Sequence, residues 1–179
     1  GWRWNGGMKG RKGSTDEGGV RAPFVIRWPG QIPAGTVVPH ITATIDLLPT
    51  LADLAGIAPG GAKPLDGVSL KPLLLAGVGP AQTWPERVIF SAWDGKVSGR
   101  TPQYRLDAAG ALHDLTQDPG QTKDLAAELP AVARRLRQAV AAWKQEVSPR
   151  DPSDHRPFPV GHREMPLTEL PAGDGVPHG

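Results

Sequence analysis

Residues 10–23 read GRKGSTDEGGVRAP, and this glycine-rich stretch is the most informative part of the chain. Lys12 lies between glycine-bearing turns, and an acidic pair, a double glycine and an arginine follow it. Glycine allows the backbone to turn through positive φ and allows a ligand to come close to the main chain. A lysine in such a loop presents a compact point charge to an anion. The stretch therefore predicts an anion-contacting loop at the mouth of a sheet.

The residues that follow this loop predict a sheet covered by a helix. Residues 23–28 are almost continuously apolar, which is typical of a strand buried on both faces of a parallel sheet. Residues 45–56 predict a helix that Asp46 can cap, with Pro49 in its first turn and Gly56 at its end. We expect one apolar face of this helix to pack on the sheet, formed by Leu47, Leu48, Leu51, Leu54 and Ala55.

The second half of the chain predicts an antiparallel ribbon and one long helix. Strand candidates lie at residues 87–93, 103–106 and 111–115, and residues 107–110 are short enough for a hairpin turn between the last two. Such close spacing favours antiparallel pairing over helical crossovers. Residues 130–147 form the clearest helix, with an apolar face of Val132, Leu136, Val140, Trp143 and Val147.

Composition excludes several kinds of function. The 179 residues include 20 Lys and Arg against 18 Asp and Glu, and this near balance of charge gives no indication of nucleic-acid binding. The absence of cysteine excludes disulfide and thiolate chemistry, and no apolar run is long enough to span a membrane. The chain begins without a methionine or a readable export signal, so we expect a piece of a longer protein.

Four segments resemble the C-terminal part of the sulfatases, which are hydrolases of sulfate esters with an alkaline-phosphatase-like fold. In the family's order and spacing, they are KGSTDEGGVRAP at 12–23, IDLLPTLADLAGI at 45–57, PLDGVSLKPLLL at 64–75 and LHDLTQDPGQTKDL at 112–125. His113 stands where the family usually has tyrosine, and Gln121 stands where it usually has glutamate. Neither exchange touches the catalytic chemistry of the family.

The resemblance implies an α/β fold with three parts. Residues 1–80 would end an alkaline-phosphatase-like α/β sulfatase domain. Residues 81–148 would form a small α+β C-terminal subdomain, an antiparallel sheet with one helix. Residues 149–179, which are rich in proline, would form an extended arm.

The activity that the resemblance implies is hydrolysis of a small-molecule or carbohydrate sulfate ester. The family uses a formylglycine, made from Cys or Ser in a C/S-x-P-x-R motif, and a calcium ion held by aspartates and an asparagine. Of the family's catalytic positions only one matches here, Lys12, in the place of the lysine that contacts the sulfate group. We expect the formylglycine and the calcium ligands upstream, and no turnover from these residues alone. Family members often act outside the cytoplasm, which favours a periplasmic or secreted location.

Other charged residues near Lys12 are given structural roles. Lys9 and Arg11 are the alternative candidates for contacting the anion, but they fall outside the aligned residues and are expected to be rim charges. Glu17 and Arg21, four residues apart, are expected to pair and brace the loop.

Four of the six tryptophans fall into two groups. Trp2 and Trp4 precede the loop and are candidates for lining a substrate cleft, whereas Trp28 and Trp143 follow buried patterns and are expected in the core. No histidine has a partner at metal-ligand spacing, so these residues predict no metal site of their own.

Two other functions are compatible with the sequence. One is a phosphonate or phosphodiester hydrolase of the same superfamily, which would share the fold and the anion-contacting lysine. The other is a sulfatase-like binding module that has lost its chemistry.

Overall fold

The computed structural model describes residues 4–58, 64–75 and 84–147. The α-helices formed by these residues are α1 (Glu17–Val20), α2 (Leu47–Ala55), α3 (Lys71–Leu75) and α4 (Pro130–Val147), and a short 3₁₀ helix (Thr44–Asp46) precedes α2. The strands are β1 (Ile89–Trp93), β2 (Lys96–Arg100), β3 (Tyr104–Leu106) and β4 (Leu112–Asp114). Trp2 and the predicted arm at 149–179 lie outside the described residues. The combination of helices and sheet confirms the predicted α/β class.

The strands form one antiparallel sheet in the order β1-β2-β3-β4, which confirms the predicted pairing mode. The turn between β3 and β4 closes where it was predicted, with the Gly110 N–H 3.0 Å from the Asp107 carbonyl oxygen. Strand β2 was not predicted. Asp94 and Gly95 before it have φ values of 49° and 70°, and this Asp-Gly pair is the sequence signal that would have revealed the hairpin.

Helix α4 packs across one face of the sheet. Its bounds agree with the prediction, and the core between the layers contains Val97, Leu106, Leu112, Ala133, Leu136 and Val140. A Cβ at Gly99 would lie 3.0 Å from a methyl group of Val140, so glycine in β2 lets the helix approach closely. The Trp143 ring stacks on Phe90 with the ring centroids 5.2 Å apart, which confirms its predicted place in the core.

Helix α2 has the predicted ends but not the predicted packing face. It begins after Asp46, whose side chain makes no capping hydrogen bond to this helix, contrary to the prediction, and Gly56 closes it with a φ of 69°. Leu48 and Leu51 are 55% and 58% exposed, whereas Thr50 faces the interior and is buried. The predicted leucine face is therefore only partly buried: Leu54 packs against Leu70, Leu73 and Leu74, but no described residue covers Leu48 and Leu51.

Asp46 is fully buried and links α2 to the segment at 64–75. Its carboxylate accepts hydrogen bonds from the N–H groups of Ala43 and Val68, at 2.8 and 3.0 Å. The Arg87 guanidinium donates to both carboxylate oxygens, at 2.8 and 2.6 Å. Burial raises the pKa of Asp46, but the hydrogen bonds from Arg87 and the two N–H groups outweigh that effect, so the pKa lies below its ordinary value.

Polar side chains of α2 complete this link. The Thr50 hydroxyl oxygen accepts a hydrogen bond from the Leu70 N–H at 2.9 Å. The Asp53 carboxylate accepts hydrogen bonds from the Ser69 hydroxyl at 2.6 Å and the Lys71 ammonium at 2.9 Å. Polar contacts thus join α2 and α3 into one unit.

Residues 23–28 form no strand, contrary to the prediction. No described strand pairs with them, and a strand without a neighbour leaves its backbone hydrogen-bonding groups unpaired. Val25 is 87% exposed and Trp28 is also exposed, so the predicted core position of Trp28 is wrong. Ile26 does contact a small core formed by Leu70, Leu73 and Leu74.

Candidate functional site

Lys12 lies at an exposed turn of the loop at residues 9–20. Gly10 and Gly13 on either side have φ values of 88° and 84°, in the left-handed region that favours glycine. This confirms the predicted role of glycine in the loop. No hydrogen bond or ion pair joins the Lys12 ammonium to another residue in the described part of the chain. Its contact with a sulfate group stays a prediction.

The double glycine of the loop is explained by close backbone contacts. A Cβ at Gly18 would lie 2.8 Å from the carbonyl oxygens of Lys9 and Gly10. A Cβ at Gly19 would collide with the carbonyl of Ser14. Only glycine fits at both positions, so the loop folds tightly on itself around α1.

This loop covers the face of the sheet that is opposite to α4. Side chains alternate along a strand, so Ser98 in β2 and Arg105 in β3 point away from the helix. Both are nevertheless buried. The Ser98 hydroxyl donates to the Thr15 carbonyl oxygen at 2.7 Å, and Arg105 Nη1 donates to the same oxygen at 2.7 Å. The loop is thus docked on the sheet through its own backbone.

Glu17 forms the second anchor of the loop, and its carboxylate is buried. Arg100 donates to both Glu17 oxygens, at 3.1 and 3.3 Å, and Arg105 Nη2 donates to one of them at 2.8 Å. Arg21 lies 3.6 Å from the same carboxylate, which confirms the predicted pair. Burial raises the pKa of Glu17, but the two strand arginines outweigh it and leave the pKa below its ordinary value.

Sequence reasoning did not find Arg100 or Arg105. They are separated from Glu17 by 83 and 88 residues, and nothing local in the sequence links them. Arg105 stands between Tyr104 and Leu106 in a strand, a position that reads as the solvent-facing side of a half-buried sheet. In the structure the loop at residues 9–20 covers this polar face of the sheet, so Arg105 is buried instead of exposed to solvent.

Lys9, one of the two alternative anion-contacting residues, is committed to ion pairs. Its ammonium lies 3.2 Å from Asp107 and 3.7 Å from Asp16. The Ser14 hydroxyl oxygen accepts a hydrogen bond from the Arg11 N–H at 3.2 Å, so this hydroxyl group serves the backbone of the loop. Arg11 remains exposed beside the loop. Lys9 thus braces the loop against the turn between β3 and β4.

The segment at 112–125 also contacts the loop. Gln121 Oε1 accepts a hydrogen bond from the Glu17 N–H at 2.9 Å, and its Nε2 donates to the Asp16 carboxylate at 3.3 Å. A glutamate at 121 would set a second carboxylate against Asp16, so glutamine suits this site. His113 is buried, with Nε2 3.3 Å from the Asp107 carboxylate.

The aromatic residues near the loop are exposed. Trp4 is 92% exposed, and Trp2 lies outside the described residues. Asn5, next to Trp4, donates to the Gly10 carbonyl oxygen at 2.9 Å. Trp93, which was not singled out from the sequence, is exposed at the end of β1, and a Cβ at Gly13 would lie 3.6 Å from its indole nitrogen. The substrate-binding roles of Trp2 and Trp4 stay predictions.

The calcium ion that the resemblance implies does not fit the described residues. In residues 4–58, 64–75 and 84–147, no three His, Cys, Asp or Glu side chains are grouped so that they could hold a metal ion. Asp16 and Glu17 lie in the loop itself, and their carboxylates are already paired with cationic or amide donors. None of the described helices combines the length and apolar character that a membrane crossing requires.

The sequence matches a known family model and several named proteins. Residues 12–97 match the family described as N-sulphoglucosamine sulphohydrolase, C-terminal. The chain is 31% identical to arylsulfatase D of Homo sapiens over 82% of this chain and 31% of that protein. It is 36% identical to arylsulfatase A of Homo sapiens over 75% of this chain and 31% of that protein. The chain thus spans about a third of the length of these relatives.

Solved structures have a similar fold. The crystal structure of Ps i-CgsB matches with a TM-score of 0.63 and 26% identity, over 76% of this chain and 31% of that chain. A Bacteroides thetaiotaomicron protein, described under the metabolism of multiple glycosaminoglycans, matches with a TM-score of 0.62 and 22% identity. That match covers 78% of this chain and 32% of the other. At this identity the second likeness concerns the fold alone.

Proposed function

The chain belongs to the sulfatase family, and we propose that it is the C-terminal portion of an enzyme that hydrolyses sulfate esters, with Lys12 contacting the sulfate group. The observation that carries the proposal is the exposed lysine on a loop whose backbone is fixed at both sides by required glycines. Named sulfatases that match most of the chain support the same activity.

The chemistry of Lys12 follows from charge and position. Its ammonium is a donor for the anionic ester oxygens, and a fixed cation needs no reorganisation while charge shifts during cleavage of the S–O bond. In a cleft with little water the attraction exceeds its value in bulk solvent. The formylglycine and the calcium ligands belong to the rest of the protein in this proposal. Trp2 and Trp4 are proposed to contact the organic part of the substrate.

Replacing Lys12 with alanine tests this function. Loss of a charged hydrogen bond of about 1.5–3 kcal/mol corresponds to a fall in kcat/KM of about 10- to 150-fold. Steady-state assays of the intact enzyme with an aryl sulfate measure the effect, and Lys144→Ala on the exposed side of α4 is the control. Undiminished activity in Lys12→Ala would exclude Lys12 from the site, and turnover of phosphodiesters alone would replace the proposed reaction.

The division into parts at 1–80 and 81–148 is also a proposal. The apolar side chains of α2 and of residues 23–28 that no described residue covers, among them Leu48 and Leu51, support one part of it, namely that residues 1–80 end a larger domain. An exposed patch of this kind marks a surface that another element buries. We propose that the preceding part of the same enzyme, which the chain's share of its relatives' length implies, covers this patch.

Leu51→Ala distinguishes a covered patch from a free one. If the rest of the enzyme buries Leu51, the substitution destabilises the intact protein by about 1.5–3 kcal/mol, because that is the value of burying a leucine side chain. In the isolated chain the change stays within about 0.5 kcal/mol, as for other surface positions. Chemical unfolding of both proteins measures the difference. Equal small effects in the two would mean that the patch is free in the enzyme.

A further inference from the structure

The loop that carries Lys12 is held on the sheet at two points. The Thr15 carbonyl and the Glu17 carboxylate lie three and five residues after Lys12, and both are fixed by side chains of the sheet. Lys12 itself has no such anchor among the described residues. The position of its backbone relative to the sheet therefore depends on these two contacts, together with the ion pair between Lys9 and Asp107 and the hydrogen bond from the Glu17 N–H to Gln121.

One guanidinium spans both anchors. Arg105 Nη1 donates to the Thr15 carbonyl oxygen at 2.7 Å, and Nη2 donates to Glu17 at 2.8 Å. Arg105 is 1% exposed, so water does not replace either contact. A lysine at this position would keep the charge but would offer a single nitrogen on a flexible stem, which cannot reproduce a planar, two-point contact.

Arg100 adds a second fork to the same carboxylate. It donates from two nitrogens to the two Glu17 oxygens, at 3.1 and 3.3 Å, an arrangement that fixes the orientation of the carboxylate as well as its position. Two largely buried guanidinium groups thus face one carboxylate. Buried charge clusters are weak contributors to stability, so stability alone does not account for this one.

We infer that Glu17, Arg100 and Arg105 are positioning residues for sulfate ester hydrolysis, and that they fix the loop so that the Lys12 ammonium meets the sulfate group in the reacting geometry. This inference rests on the proposed function of Lys12. Displacement of a contacting group by about 1 Å can lower the rate by about 100-fold, so a loosened loop should be visible in the kinetics.

Arg105→Lys in the intact enzyme is the test. We expect kcat/KM for an aryl sulfate to fall about 10- to 100-fold while the fold is retained. Combination with Lys12→Ala should cause no further loss beyond that of Lys12→Ala alone, because the arginine acts through the lysine. The matched control is Arg137→Lys on α4, whose Nη2 donates to the Gly110 carbonyl oxygen at 3.0 Å on the surface; its kcat/KM should be unchanged.

The outcomes separate the inference from the proposed function. Wild-type kcat/KM in Arg105→Lys, or a loss that multiplies fully with that of Lys12→Ala, overturns the positioning role alone. An undiminished rate in Lys12→Ala overturns the proposed function and the inference with it. If Arg105→Lys yields no folded enzyme, Arg100→Lys carries the same expectations, because Arg100 contacts the same carboxylate and is 18% exposed.

Discussion

Replacing Asp46 with alanine is expected to lower the free energy of unfolding by about 3–5 kcal/mol. The substitution removes the carboxylate that Arg87 contacts at 2.8 and 2.6 Å, and it leaves the N–H groups of Ala43 and Val68 without their acceptor. The largely buried Arg87 charge and the partly buried N–H groups then lack partners that would compensate for their lost hydration. Equilibrium urea unfolding at neutral pH measures the change.

Asp53→Ala is the matched control on the same helix. Asp53 also accepts hydrogen bonds from a hydroxyl group and an ammonium group, but its side chain is 43% exposed. Water replaces the lost partners there, so we expect a much smaller loss than for Asp46→Ala. Similar losses for the two substitutions would contradict the argument from burial.

The same residue predicts how stability depends on acid. Hydrogen bonds from Arg87 and two N–H groups outweigh burial and hold the pKa of Asp46 below its ordinary value of 3.8. A carboxyl group with a lowered pKa stabilises the folded state above its unfolded pKa, and this contribution is lost as the pH falls through the folded value. Stability should therefore decline below about pH 4, and less steeply in Asp46→Ala than in the unchanged protein.

Local patterns in the sequence were sufficient for the elements whose packing is local. Helix α4 was predicted with its bounds because its apolar residues repeat at helical spacing and Pro130 opens it. The turn at residues 107–110 was predicted because only four residues separate the two strand candidates beside it. Apart from Val147, which is exposed, the predicted apolar face of α4 packs on the core next to the sheet, so pattern and packing agree there.

Other elements depend on partners that the local sequence does not specify. Residues 23–28 have the composition of a buried strand, yet no described strand pairs with them. Strand β2 was missed because Lys96, Ser98 and Gly99 interrupt the apolar pattern. Gly99 packs under α4 and Ser98 contacts the loop. The glycine at position 99 and the serine at position 98 are therefore explained only by neighbours distant in sequence.

The candidate site divides in the same way. The glycines around Lys12 were predictable because positive φ and close backbone contact leave few alternatives to glycine. The arginines that hold Glu17 were not predictable. An alternating strand normally turns its polar side chains to water, and only the docked loop makes Arg105 an interior residue. The contact between Gln121 and Glu17 likewise depends on that docking.

Replacing Trp143 with alanine is expected to destabilise the protein by about 3–5 kcal/mol. The ring stacks on Phe90 with the centroids 5.2 Å apart and the planes at 20°, and it contacts the core between α4 and the sheet. Its removal leaves a cavity next to the core cluster on which the ring packs, and the fully buried members of that cluster, such as Leu136, cannot move to fill the space without opening another. Loss of the aromatic pair adds about 0.5–1.5 kcal/mol within that total.

Two variants control for the Trp143 substitution, and thermal unfolding compares all three. Lys144→Ala changes the next residue of α4, which is exposed, and should alter stability by no more than about 0.5 kcal/mol. Trp143→Phe keeps an aromatic ring against Phe90 and should retain most of the stability that alanine loses. An unchanged melting temperature in Trp143→Ala would mean that this side of α4 does not pack on the sheet. It would contradict the packing of α4 on the sheet whose opposite face carries the Lys12 loop.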